Sequence, residues 1–260
     1  MKKNILTPIL GILFLTSLVS AQTGVIFKYK ISSSSGATGS VTGYYADGNF
    51  RSDFNMDIPQ MPNGGISTSN LVLKDKPKTI FTLNDKNKTY TEMEIKDKSD
   101  TAKGNEATVK VLGNEKIGKY NCIHSQVTQN NHVSEYWTTR EIADYEKYSN
   151  AHRGNRMMGK GNTSAALKSA NADGFIVKTF SKDMRGNENS LELESFENGA
   201  VSADKFKIPD GYTKQETPAP GTAPGMAPGQ GFDYNKLKDM TPEERQKFIE
   251  AMKKQAGGGH

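Results

Sequence analysis

The stretch from Val109 to Ile142, VKVLGNEKIGKYNCIHSQVTQNNHVSEYWTTREI, limits the possible folds more than any other part of the chain. It is dense in β-branched and aromatic residues, which favour strands. Asn130-Asn131 sits inside it, and both residues tolerate the positive φ of a tight hairpin turn. With these two as the loop, Gln129 faces His132, Val127 faces Ser134, His124 faces Trp137 and Cys122 faces Thr139. Alternation then places Tyr120, Cys122, His124, Val133, Glu135 and Trp137 on one face. Ile123, Val127 and Tyr136 fall on the other. Neither face is purely polar, so both are expected to be partly covered. The pattern predicts a hairpin in the middle of one curved antiparallel sheet.

The segments before it read the same way. Gly24 to Ser32 alternates, with Val25, Phe27 and Tyr29 on one face and Ile26, Lys28 and Lys30 on the other. Val41 to Tyr45 continues after a small-residue loop. Ala46-Asp47-Gly48-Asn49 is a turn. Phe50 to Met56 returns, with Phe50, Ser52 and Phe54 opposed to Arg51 and Asp53. A short strand over Asn70 to Leu73, another over Lys78 to Leu83 and a third over Thr89 to Ile95 come next. After the central hairpin, Ile142, Tyr145 and Tyr148 recur at helical spacing, so Glu141 to Tyr148 is expected to be a short helix. Asn150 to Gly161 is rich in Gly, Arg, Met and Asn and reads as a flexible loop. Thr163 or Ser164 could cap a second short helix through Ala170, and the whole Asn150 to Ala172 segment could cover the sheet. Phe175 to Phe180 and Leu191 to Phe196 are expected to pair, Asn198-Gly199 to turn, and Phe206 to Tyr212 to close the domain.

Residues 1–21 have the layout of a secretory signal. Lys2 and Lys3 precede an apolar run from Ile5 to Val19, and Val19-Ser20-Ala21 offers the small residues of a cleavage site. The run holds Pro8 and Gly11 and is short for a membrane span, which needs ~20 residues. The expected location is therefore the periplasm or the exterior, after cleavage near Ala21. The formal charge is +5, of which Lys2 and Lys3 supply two, leaving +3. The lysines are interspersed with Asp and Glu, which argues against nucleic acid as a partner. The single cysteine, Cys122, excludes an internal disulfide. Stability must then come from a hydrophobic core, for which eleven Phe, ten Tyr and one Trp are available. The expected organisation is a β domain over 22–213, a Pro/Gly-rich linker over 214–231 and a tail over 232–260. In the tail, Thr241-Pro242-Glu243-Glu244 starts a helix with Phe248, Ile249 and Met252 as a narrow apolar stripe.

Reaction signatures are weak. Cys122 and His124 share a strand face with Glu135, and together they could supply three metal ligands. The plainer alternative is a packed cysteine beside a histidine stacked on Trp137. A cysteine nucleophile would need exposure and an activating neighbour, and strand geometry makes no triad evident.

Several motifs resemble a family of uncharacterised secreted bacterial β-rich domains. They are GVIFKY from Gly24, YYADGNFR from Tyr44, TYTEM from Thr89, LGNEKIGKYNCIH from Leu112, EYWTTREI from Glu135 and FKIPDGY from Phe206. The layout over Gly24 to Tyr212 is similar to the periplasmic lipoprotein carriers, the LolA-like superfamily. The resemblance implies a mainly β, strongly curved antiparallel half-barrel whose open side is closed by short helices. On that footing the expected function is non-enzymatic and needs no cofactor. An apolar or lipid-like ligand would lie in the concave face, against Phe27, Tyr29, Tyr90, Trp137, Phe175 and Phe180. The alternative is a cell-envelope interaction module that recruits a partner protein through Phe248, Ile249 and Met252.

Overall fold

The structure is a computed structural model that describes residues 21–59, 65–94, 107–130, 132–151, 161–183, 186–216 and 241. The expected signal segment, most of the linker, the Phe248, Ile249 and Met252 stripe and the centre of the Asn150 to Ala172 segment lie outside these residues. The chain divides into two units, Met1–Gln215 and Glu216–His260. The first contains the β-sheet. No helix among the described residues is long and apolar enough to cross a membrane.

Alternation along the first strand sets the architecture. β1 (Ala21–Ser33) buries Val25, Phe27, Tyr29 and Ile31, while Lys28 and Lys30 stay exposed. It lies at the middle of a single twelve-stranded sheet. On one side β2 (Thr38–Ala46), β3 (Asn49–Asp57), β4 (Gly65–Leu73), β5 (Lys76–Asn84) and β6 (Thr89–Glu94) form an antiparallel meander. On the other side stands β11 (Glu188–Ser202), then β10 (Phe175–Lys182), β9 (His132–Thr139), β8 (Tyr120–Gln129) and β7 (Thr108–Ile117). The two-residue β12 (Thr213–Lys214) adds in parallel to β6.

Chain order favours a curved sheet. β6 lies near one end of the sheet and β7 at the other, ten strand-to-strand steps apart. A flat sheet would separate them by roughly 48 Å. The chain from Glu94, which ends β6, to Thr108, which starts β7, could span ~46–50 Å only if fully extended. The sheet is a bent, unclosed layer, the half-barrel expected from the sequence. Two short helices, α1 (Tyr145–Ala151) and α2 (Gly161–Ser169), accompany it.

The β8–β9 hairpin has the register read from its sequence, but it lies near the β7 end of the sheet and not in the middle as expected, because β1, β10 and β11 take the centre. Gln129 pairs with His132, Val127 with Ser134 and His124 with Trp137. Asn130 takes the positive φ, at 51°. Asp47 and Gly48 both adopt positive φ in the β2–β3 turn, as a two-residue hairpin loop requires.

Other expectations need correction. Asn198-Gly199 does not turn. It continues β11, pairing with Val25 and Gly24, because a long ladder with β1 outweighs local turn preference. β4 begins at Gly65 rather than Asn70, since Ile66 to Ser69 extend the ladder with β3, pairing in turn with Met56 back to Asp53. The first helix starts at Tyr145, not Glu141: Glu141 instead accepts bonds from the Asn121 backbone and side-chain amides. The second starts at Gly161, which leaves Thr163 buried within it rather than capping it.

The main core joins β1, β2, β3, β10 and β11. Val25, Phe27, Tyr29, Ile31, Val41, Phe50, Phe175 and Leu191 pack with Ile142 and with Tyr148 from α1. Phe27 lies flat over Gly43, where an added Cβ would come within 2.1 Å of the ring. A second cluster, with Leu71, Phe81, Leu83, Val201 and Phe206, draws the short 3-10 helix Ala203–Phe206 against the sheet. A third sets Leu167 of α2 and Ala172 against Val127 and Tyr136. Asp173 secures this end: it accepts from Arg140 at 2.5 Å and from the Tyr145 hydroxyl.

Candidate functional site

The six aromatic residues expected to hold a ligand do not line one space. Phe27, Tyr29 and Phe175 sit together in the main core, with relative exposures of 0%, 0% and 1%. The Phe27 and Phe175 rings meet edge-on with centroids 5.4 Å apart, and Phe27 stacks on Phe196 at 6.3 Å. Tyr148 closes the group edge-on to Phe175 and Phe196. The Tyr29 hydroxyl donates to the Ile176 carbonyl at 2.7 Å, tying β1 to β10. Burial pushes the Tyr29 phenol well above its ordinary pKa, and the nearby Tyr120 adds to this. Tyr90 belongs to the second cluster, beside Phe81. Trp137 and Phe180 belong to a fourth, with Cys122 and Val177. The middle of the half-barrel is therefore occupied by the protein's own rings.

The Cys122, His124 and Glu135 group is brought together, but as packing. The His124 ring stacks on Trp137, with centroids 4.1 Å apart and planes 12° from parallel. Its Nε2 lies 2.9 Å from Glu135 Oε2 and its Nδ1 3.7 Å from Glu115 Oε2. That Glu115 oxygen also accepts the Trp137 Nε1–H at 2.6 Å. Lys178 Nζ stands 5.0 Å from the same indole ring. Cys122 is buried, and its Sγ donates weakly to the Tyr120 carbonyl at 3.7 Å. Burial pushes the thiol up to about 11, assisted by the charges of Glu141 and Glu115 and opposed by a backbone hydrogen bond from Ile117. A buried thiol held protonated is a poor nucleophile at neutral pH. No group of three or more His, Cys, Asp or Glu among the described residues is placed to hold a metal ion.

Glu115 and Lys178 were not legible as neighbours of Trp137. β7 carries an extra residue at Leu112, between Val111 opposite Ser125 and Gly113 opposite His124. Counting by strict alternation from the Thr108 end of β7 puts Glu115 on the wrong face; counting back from Ile117 at the β7–β8 turn puts it on the right one. β10 slips in a similar way between Ile176 and Lys178.

Open space lies to the side of the filled centre. A recess of about 350 Å³ forms where the β7–β8 turn approaches β11. Ile117, Tyr120, Val177, Leu193 and Phe196 supply its apolar surface. Lys119, Glu192, Glu194 and Glu197 supply its charged lining. Tyr120, Leu193 and Phe196 also pack on the main core, so one side of the recess is held rigid from beneath.

The sequence profile of a family described as Domain of unknown function (DUF4412) matches residues 23–212, and the chain belongs to that family. No curated protein matches it. Among solved structures, an uncharacterized conserved protein from Thermus thermophilus is 8% identical with a TM-score of 0.45. The match covers 74% of this chain and 90% of that one. The LolA superfamily protein NE2245 from Nitrosomonas europaea is 8% identical with a TM-score of 0.27, covering 72% and 90%. MucB, in complex with MucA(peri), is 10% identical with a TM-score of 0.36, and the match covers 71% of this chain and 54% of MucB. Likenesses this distant carry no functional inference.

Proposed function

We propose that this member of the family is a non-enzymatic exported binding protein, and that it takes an apolar or lipid-like group in the recess beside β11 rather than in the centre of the half-barrel. The observation that carries this reading is the recess itself, with Tyr120, Val177, Leu193 and Phe196 along its apolar side. Its volume, about 350 Å³, falls at the lower end of the range for small-molecule sites, roughly 300–1,000 Å³. A ligand in the centre would have to displace Phe27, Tyr29 and Phe175. Each such ring buries about 150–250 Å², worth about 4–6 kcal/mol at most.

Charge refines the ligand class. Three glutamates and one lysine line the recess, so an apolar chain with a cationic or neutral head is favoured over one ending in a carboxylate. Titration with a fluorescent alkylamine and with the matching fluorescent fatty acid tests this. The alkylamine is expected to bind more tightly, and Leu193→Asp to weaken it more than about tenfold while the fold persists by circular dichroism. Equal affinity of Leu193→Asp and the parent chain, or no binding of either probe, would overturn the reading.

A further inference from the structure

β7 ends the sheet, and among the described residues only β8 pairs with it. A long open edge presents backbone donors and acceptors that favour a further strand. The middle of this edge is apolar in water: Val111 is 47% exposed and Leu112 43%.

The bulge at Leu112 gives this edge an unusual symmetry. In a regular strand, two residues placed evenly about a peptide bond point to opposite faces. The extra residue cancels that offset. Lys110 pairs with Gln126 and Glu115 with Cys122, so both lie on the His124 face of β8. Val111 pairs with Ser125 and Asn114 with Ile123, so both lie on the other face.

We propose that β7 pairs antiparallel with β7 of a second copy of this chain, about a twofold axis between Leu112 and Gly113, to form a dimer with one continuous sheet. In that register Lys110 of each copy lies opposite Glu115 of the other, and Val111 lies opposite Asn114. The two residues of each of these pairs then share a face, as cross-strand neighbours must. Leu112 meets Gly113, where an added Cβ would find nothing within 4 Å, so the space over the glycine admits the opposing leucine. Glu115 engages Trp137 and His124 through Oε2, and its side chain is half exposed. Sliding the register by one residue either way sets Lys110 against Lys116 or Asn114 and mismatches the faces. The twofold contact is self-complementary, which is how closed dimers are built.

Sedimentation equilibrium of the exported chain over a wide concentration range tests this. The parent chain is expected to dimerise reversibly. Lys110→Glu places like charges opposite each other twice and should raise the dimer dissociation constant about tenfold or more. Lys116→Glu makes the same charge change opposite Val109 and should alter it by no more than about twofold. Leu112→Ser should weaken the dimer without lowering thermal stability, since Leu112 is exposed in the single chain. A chain that stays monomeric up to millimolar concentration overturns the proposal, even if the edge then captures some other protein. So does a dimer that Lys110→Glu and Lys116→Glu weaken equally.

Discussion

The two halves of this sheet handle their aromatic residues in opposite ways. Around β1, Phe27, Tyr29 and Phe175 pack on one another and on Tyr148, with almost no exposure and one hydrogen bond, from Tyr29 to the Ile176 carbonyl. Around β8 and β9, Trp137 is wrapped by polar groups: His124 on its face, Glu115 at its Nε1 and Lys178 over the ring. The first arrangement is held by removal of apolar area from water and tolerates little change in shape. The second is held by directional contacts near solvent, each of modest net value. The contrast supports the proposed reading: with the centre of the half-barrel filled by its own rings, the proposed ligand and partner contacts fall at the margins, at the β11 recess and the β7 edge.

Mutation of the centre should have the largest effect. Phe27→Ala removes a fully buried ring that touches Phe175, Phe196 and Phe50. It should cost about 3–5 kcal/mol in chemical denaturation. A cost near 1 kcal/mol would mean that the centre is looser than described. Tyr29→Phe keeps the ring and leaves the Ile176 carbonyl without its donor, which should cost about 1–2 kcal/mol. At the margin, Trp137→Phe keeps an aromatic partner for His124 but deletes the bond to Glu115. The expected loss is about 1 kcal/mol, together with faster hydrogen exchange along β7 while β1 stays protected. Uniform acceleration across both strands would break the contrast.

Two pH effects are smaller. Burial raises the Asp173 carboxyl, but the Tyr145 hydroxyl and the Arg140 guanidinium outweigh it and hold the pKa below the ordinary value. Its contribution is therefore present above about pH 4 and is lost as pH falls through the lowered value. Asp173→Asn should lower Tm by roughly 2–5 °C at pH 7 and less at pH 3. The Cys122 thiol is shifted the other way, to about 11. Its contribution is present below its unfolded pKa of about 8.5 and is lost as pH rises toward 11. At pH 8 a thiol reagent should leave Cys122 unmodified in the folded chain and modify it rapidly in denaturant. Rapid modification of the folded chain would contradict the packing around β8.

Much of this fold is legible in the sequence because alternation and turn residues act locally. The Asn130 turn, the His124 to Trp137 pairing and the burial of Val25, Phe27 and Tyr29 all stem from period-two patterning. The stacking of His124 on Trp137 was open to the same reading. What escaped is long-range. Asn198-Gly199 looks like a turn until β1 is placed beside it. Glu115 reaches Trp137 only once β7 is paired with β8 and set opposite Cys122. Leu193 and Phe196 read as ordinary strand residues, and only the approach of the β7–β8 turn makes them part of a recess. The same aromatic pattern suits a lined cavity and a filled core. How the sheet bends and where the helices fall decide between them, and neither is written in local periodicity.

The central claim is that the middle of the half-barrel is closed and that ligands meet the chain beside β11. Titrating a cationic alkylamine into isotope-labelled protein, and following backbone amide shifts, tests it most directly. Shifts concentrated at Ile117 to Tyr120 and Glu192 to Glu197, with Phe27, Val41 and Phe175 unmoved, are the predicted result. Shifts centred on Phe27, Tyr29 and Phe175, or none anywhere, would contradict it.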